Sequence, residues 1–224
     1  MKPLSRLYNN LRCIPKTLFF NFYYLPFLQA IRFPVLISHR VKFQCLQGSV
    51  IVPMDAKMAQ IKIGFGKVQV ADHRYSRFVW NVEKTGVIEL GRRTKIGTGC
   101  KLYVSGRLSI GDGTNFSGET SIICKYMMTF GQRCLIAWQA IFMDTDYHRI
   151  VDVDGVCLNP NQAIVIGDDV WICARCTFIK GVSIGSRCLV SISSNVVSSF
   201  SNEHMIGGNP AKVIGTMKGK KFCH

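Results

Sequence analysis

Ile166-Gly-Asp-Asp-Val-Trp-Ile-Cys-Ala-Arg-Cys-Thr-Phe-Ile-Lys-Gly-Val-Ser-Ile-Gly185 carries an aliphatic or aromatic residue at every sixth position, and a small residue four places after each of them. The series Ile166, Ile172, Phe178 and Ile184 continues forward through Val190 and Val196. Backward, across an interruption, the same spacing returns as Phe130, Ile136 and Phe142, then Ile110, Phe116 and Ile122, then Leu90, Ile96 and Leu102. Between these earlier groups the phase slips by two, so Leu90, Ile110 and Phe130 recur every twenty residues. A period of six is neither the helical 3.6 nor a long alternation, and it persists too far to be accidental. The glycines that follow many openers would each cost about 1 kcal/mol inside a helix. Short strands joined by tight corners satisfy the pattern. Three units, with occasional two-residue bulges, make one triangular coil, and the openers stack inward as a continuous apolar column. Gly91, Gly97, Gly111, Gly131, Gly167 and Gly185 then suit corners that require positive φ. Residues from about Val41 to Val87 are read as earlier, less regular coils.

The 224 residues suffice for one substantial domain and an appended segment, and 48% hydrophobic with 18% charged residues excludes a solvated, disordered chain. The formal charge is +15, which favours phosphates, an anionic membrane face or nucleic acid as partners. Basic residues are spread along the chain without aromatic RNA-binding signatures, zinc-finger spacing or basic-region heptads, so nucleic acid is not expected. Of the ten cysteines, Cys100, Cys134, Cys176 and Cys188 share the small-residue slot of the repeat. A reduced thiol fills that slot as a compact apolar group, which points to packing in a reducing cytoplasm. Cys173 and Cys176 have redox or zinc spacing, but no second pair or histidine set follows, and no metal is expected.

Residues 1–40 differ from the rest, alternating basic residues with runs such as Leu18-Phe-Phe-Asn-Phe-Tyr-Tyr-Leu-Pro-Phe-Leu. Asn21, Pro26, Gln29 and Arg32 interrupt any stretch long enough to span a bilayer, and no small-residue cleavage site follows. Two readings stay open: helices packed on the repeat domain and broken near Pro26 and Pro34, or an amphipathic anchor with Arg6, Arg12, Lys16 and Arg32 at lipid headgroups.

The segment from Ile166 to Gly185 resembles the signature of the hexapeptide-repeat O-acetyltransferases, which include galactoside, maltose and serine acetyltransferases and acyltransferases encoded with surface polysaccharides. Gly207-Gly-Asn-Pro-Ala-Lys-Val-Ile214 resembles the segment that closes their coil. The resemblance covers most of Leu90 to Ile214. It implies an all-β, left-handed parallel β-helix behind a helical amino-terminal segment, a homotrimer, and acetyl-CoA bound between neighbouring subunits. The expected division is 1–40 helical, 41–214 β-helix with a loop at 143–165, and 215–224 a basic tail.

The loop opens Met143-Asp-Thr-Asp-Tyr-His-Arg149, where this family carries its catalytic histidine, so the resemblance makes His148 the general base. The chemical need is plain, because a hydroxyl attacks a thioester poorly until a base takes its proton, and such a base contributes about 10²- to 10⁴-fold. Asp144, Asp146 and Tyr147 flank it as candidates for holding the acceptor. The two carboxylates could instead orient the imidazole. His39, His73, His204 and His224 show no pattern of convergent zinc ligands, as a carbonic anhydrase on the same scaffold would need. Cofactor contacts carried over from the family fall on Cys173, Ala174, Ser191, Ile192, Asn209 and Lys212. Here Cys173, Ser191 and Ser193 replace glycine and Ile192 replaces alanine, which narrows the expected groove. Lys218, Lys220 and Lys221 extend the basic character of the tail.

The reading is therefore a cytoplasmic acyl-CoA-dependent O-acetyltransferase acting on a hydroxyl of a saccharide or glycolipid precursor of surface polysaccharide, with peripheral contact at the inner membrane face left open. N-acetylation of an amino sugar and a non-catalytic β-helix used for binding or membrane docking are the alternatives.

Overall fold

The computed structural model of the chain describes residues 3–69, 72 and 75–222, with side chains from Tyr8 onward. Helix α1 (Pro3–Tyr24) and the short α2 (Phe27–Ala30) are separated at Pro26, whose ring cannot continue the first helix. After them the chain winds into a three-faced coil. The first face stacks β1 (Val35–Ile37), β4 (Ile61–Ile63), β7 (Lys95–Thr98), β10 (Asn115–Gly118), β13 (Leu135–Ile136), β16 (Trp171–Ile172), β19 (Leu189–Val190), β21 (His204–Gly208) and β22 (Ala211–Thr216). The second stacks β2 (Val41–Leu46), β5 (Phe78–Val82), β8 (Lys101–Val104), β11 (Ser121–Cys124), β14 (Ile141–Met143), β17 (Thr177–Ile179) and β20 (Asn195–Val196). The third holds β3 (Ser49–Ile51), β6 (Val87–Leu90), β9 (Arg107–Ile110), β12 (Met127–Phe130), β15 (Ile164–Ile166) and β18 (Ser183–Ile184). All pairings are parallel except the closing β21–β22 hairpin.

Each of the openers from Leu90 to Val196 lies in the buried core. On the first face Ile96, Phe116, Ile136, Ile172 and Val190 fall in register, and on the second Leu102, Ile122, Phe142, Phe178 and Val196 do. Phe116, Phe130, Phe142 and Phe178 form a chain of ring contacts, with centroid distances of 5.0, 4.9 and 4.6 Å. The four thiols of the small-residue slot are buried beside this column, and burial pushes Cys134 and Cys176 up to about 11 and Cys100 up to about 12. They are inert filler at neutral pH.

Two expectations are corrected. The two-residue slips are not bulges: they lengthen strands such as β8 and β9, adding Val104 and Leu108 to the core, and the register stays continuous. The glycines after the openers are not there for positive φ, which is instead adopted two residues later by Arg93, Gly113, Arg133, Asp169 and Arg187. They are required by close approach of successive coils. A Cβ on Gly131 would sit 2.5 Å from the carbonyl carbon of Gly167, and one on Gly111 would sit 2.6 Å from that of Gly131.

Helix α1 closes the amino-terminal end of the coil. Phe20 is fully buried edge-on against Trp80, and Trp80 Nε1 donates to Tyr24 Oη at 3.1 Å. Asn21 donates to the Val35 carbonyl at 2.7 Å and accepts from the Val35 amide at 3.2 Å, while Thr17 Oγ1 accepts from the Ile37 amide at 3.1 Å. These polar side chains satisfy the free edge of β1, which would otherwise present unpaired main-chain groups. No helix among the described residues is long and apolar enough to cross a membrane.

Candidate functional site

Between β14 and β15 the chain leaves the coil at the corner joining the second and third faces, and returns at Ile164. Its tip is a small antiparallel turn, with a bridge between Val151 and Cys157 and Asp152 Oδ1 accepting from the amides of Asp154 and Val156. The loop is pinned at both ends. Asp144 is fully buried, and its two oxygens accept the amides of Lys125 (2.7 Å) and Tyr126 (2.9 Å) in the coil below. In the coil above, Lys180 Nζ donates to Asp146 Oδ2 (2.5 Å) and to the carbonyls of Asn159 (2.9 Å) and Pro160 (3.1 Å). Asn159 Nδ2 ties Asp146 Oδ2 to the His148 carbonyl, each at 2.9 Å.

His148 stands exposed beside a cavity of about 400 Å³ lined also by Lys125, Tyr147, Arg149, Cys157 and Asn159. Its main chain is held by the bonds to Asp146 and Asn159, while no side chain among the described residues hydrogen-bonds its ring. The hydrogen bonds of the Asp146 carboxylate go to Lys180 and Asn159, both at Oδ2, and none among the described residues reaches the imidazole. The Lys180 bond, and then that from Asn159, holds this carboxyl below the usual range. Tyr147 adopts φ of 60°, with its ring under the Lys125 ammonium at 4.7 Å and 6.2 Å from that of Tyr103. Asp146, Tyr147 and His148 thus share one exposed loop, and Asp144 lies beneath it out of reach of a ligand. Lys180 and Asn159 were not singled out from the sequence. Bonds joining residues 21 and 34 apart leave no periodic trace, and nothing in the sequence sets Lys180 apart from the other charged residues of the signature, Asp168, Asp169 and Arg175.

The residues expected to meet the cofactor occupy a different corner, between the first and second faces. Cys173 and Ala174 follow β16, and Ser191 and Ile192 follow β19 one coil higher, with the Ser193 amide donating to the Ala174 carbonyl at 2.9 Å. Ala174 is buried, while Ile192 is 63% exposed and blocks nothing within the subunit. Asn209 lies in the turn between β21 and β22, where its Oδ1 accepts from Asn195 at 3.1 Å. Lys212 is exposed on β22, and apolar Val197, Val213 and Ile214 are exposed at this end of the coil. Trp171 faces outward on β16 with its ring 6.0 Å from that of Phe222. Cys176 turns inward, its Sγ donating to the Ser191 carbonyl at 3.0 Å. His39 lies under α1 near Cys13 and His204 beside Ser201, whereas His73 and His224 fall outside the described residues.

No family model matches the chain. It is 28% identical over 163 residues, 67% of its length and 80% of the relative's, to a protein of Escherichia coli K12 named as a lipopolysaccharide biosynthesis O-acetyl transferase. It is 27% identical over 96 residues to the polysialic acid O-acetyltransferase of Neisseria meningitidis, a match covering 42% of each chain. Among solved structures, a polysialic-acid-specific acetyltransferase superposes with a TM-score of 0.55 at 19% identity, over 85% of this chain and 79% of that one. A hexapeptide-repeat-containing acetyltransferase of Vibrio cholerae gives 0.50 at 25% identity, over 57% and 73%. The chain thus has the left-handed β-helix fold of hexapeptide-repeat structures, and its sequence is similar to proteins named as O-acetyltransferases.

Proposed function

We propose that the chain transfers an acetyl group from acetyl-CoA to a hydroxyl of a saccharide or glycolipid precursor of surface polysaccharide. The observation that carries the reading is the separation of the two half-sites. The His148 loop leaves the corner between the second and third faces, and the cofactor residues stand at the corner between the first and second. One subunit holds them at different corners, and the reading needs a neighbouring copy in a trimer to bring a loop and a groove together. The exposed apolar side chains of Ile150, Val151, Val153, Val156 and Leu158 on the loop supply a surface for that neighbour.

The groove residues fit coenzyme A. The small side chains of Cys173, Ala174 and Ser191 leave room for the pantetheine arm along the corner, the exposed Ile192, Val213 and Ile214 match its methyl groups, and Lys212 and the tail lysines match its phosphates. In the reaction, His148 takes the proton of the acceptor hydroxyl as its oxygen attacks the thioester carbonyl. The imidazolium then returns that proton to the departing sulfur. Asp146 and Tyr147 flank the acceptor, and Asp144 keeps the loop in place from below. Work on a lipid-carried precursor sets the chain at the inner membrane face with α1 against it.

The test is thermal unfolding of wild type and His148→Ala with and without acetyl-CoA, paired with turnover on saccharide acceptors. At 100 times its dissociation constant, acetyl-CoA stabilises both proteins by about 2.7 kcal/mol. His148→Ala lowers kcat about 10²- to 10⁴-fold. Absence of any shift at millimolar acetyl-CoA would remove the donor assignment, and unchanged turnover would remove His148.

A further inference from the structure

Where α1 crosses the first two coils, a cavity of about 530 Å³ is lined by Arg12, Lys16, His39, Arg40, Lys42 and Arg77. No carboxylate lines it among the described residues. The six ion pairs of the described structure lie elsewhere, and none engages these five Lys and Arg side chains. Glu119, which Ser76 on the cavity wall reaches, is already shared between Ser76 and Gln139. Lys16 is fixed in the wall by donating to the carbonyls of His39 (2.8 Å) and Val41 (2.5 Å), so its charge cannot swing away to solvent. The site's positive field is felt by its own groups. Burial and then Arg77 lower Lys16, and burial followed by Arg12, Arg40 and Lys16 lowers His39. Like charges gathered in a concave site raise the local anion concentration, and Arg forks match phosphate oxygens two at a time.

What surrounds the cavity narrows the ligand further. The first 54 residues contain seven Lys and Arg and no Asp or Glu. The face of α1 turned away from the coil exposes Leu11, Leu18, Phe22 and Tyr23, and Phe27 and Leu28 continue it at 68% and 71% exposure. An apolar stripe flanked by unneutralised cations is the pattern of an element lying in a membrane interface. The cavity is not the coenzyme A groove of its own subunit. It belongs to the first and second coils, whereas Ala174 and Ser191 belong to the sixth and seventh, about 24 Å along the axis at roughly 4.8 Å per strand spacing.

We propose that this cavity binds the phosphoryl headgroup of an anionic lipid while the outer stripe of α1 enters the same membrane surface. The proposal rests on the membrane-side placement of α1 and adds a defined headgroup site to it. The test floats the full chain with vesicles of phosphatidylcholine alone or mixed with phosphatidylglycerol, and separately titrates inorganic pyrophosphate by thermal shift. Three proteins are compared: wild type, Arg40→Glu with Lys42→Glu in the cavity, and Leu11→Ser with Leu28→Ser on the stripe.

Wild type floats with the anionic vesicles only. The cavity variant loses this at least about tenfold, because two cations facing the anionic surface are reversed, and also loses the pyrophosphate shift. Acetyl transfer to a soluble acceptor, and the melting temperature without ligand, stay at wild-type values in both variants. If the cavity variant floats like wild type while the stripe variant does not, the membrane placement stands and the headgroup site is overturned. If wild type ignores both vesicles yet shifts with pyrophosphate, the ligand is a soluble phosphate and the lipid assignment is overturned. Neither flotation nor a shift overturns both.

Discussion

Asp144 and Asp146 are two residues apart and do different work. Burial with two main-chain donors makes Asp144 a structural acceptor, because its removal leaves the amides of Lys125 and Tyr126 without partners in the interior. Asp144→Ala therefore costs about 2–5 kcal/mol in urea unfolding, and Asp144→Asn, which keeps one acceptor oxygen, about half as much. Asp146 remains largely at the surface, its side chain 44% exposed against 16% for Lys180. Its carboxyl is depressed by the Lys180 bond, so its contribution to holding the loop is present above the ordinary value near 4 and is lost as pH falls through the lowered folded value. Amide exchange in 146–160, corrected for its intrinsic pH dependence, should stay constant from pH 5 to 8 and accelerate below about pH 4. Lys180→Met should bring about tenfold faster exchange in the same segment at pH 7, in keeping with a partly exposed charged pair. Equal protection in the variant would show that the loop is held by other contacts.

Within the coil, the strand positions are legible because inward residues obey a strict period, and the spacing of twenty aligns Ile96, Phe116 and Ile136 as the strands pair them. The loop at 143–165 was legible as the one long break in that period. The reason for the glycines was not, since close approach between coils is a contact between residues 16 to 37 apart, which spacing along the chain does not report. The distinction is measurable. Gly131→Ala forces a Cβ into the backbone of Gly167 and should cost about 1–3 kcal/mol. Gly155, with φ of 79° and nothing within 4 Å of an added Cβ, has only a backbone preference to lose, and Gly155→Ala should cost about 1 kcal/mol. Equal costs in chemical denaturation would return the glycine column to a matter of backbone conformation. The clamp of Lys180 and Asn159 escaped notice for a related reason, being side-chain bonds from coil to loop with no repeat of their own.

Taken whole, the molecule is a stack whose core runs unbroken from Phe20 and Trp80 to Ile206, so each coil is both a folded layer and the foundation of the next. Such a stack has two ends. At the carboxyl end the chain reverses into the antiparallel β22, and at the amino end α1 lays Thr17 and Asn21 across the strand Val35–Ile37. The helix is thus a stopper as well as a surface. Deleting residues 1–34 would uncover β1 as a template on which a second molecule can add its own strands. The shortened protein should then pair through this edge into dimers whose population rises with concentration in sedimentation, while Asn21→Ala with Thr17→Val, which keeps the apolar seal of Phe20, should pair far more weakly.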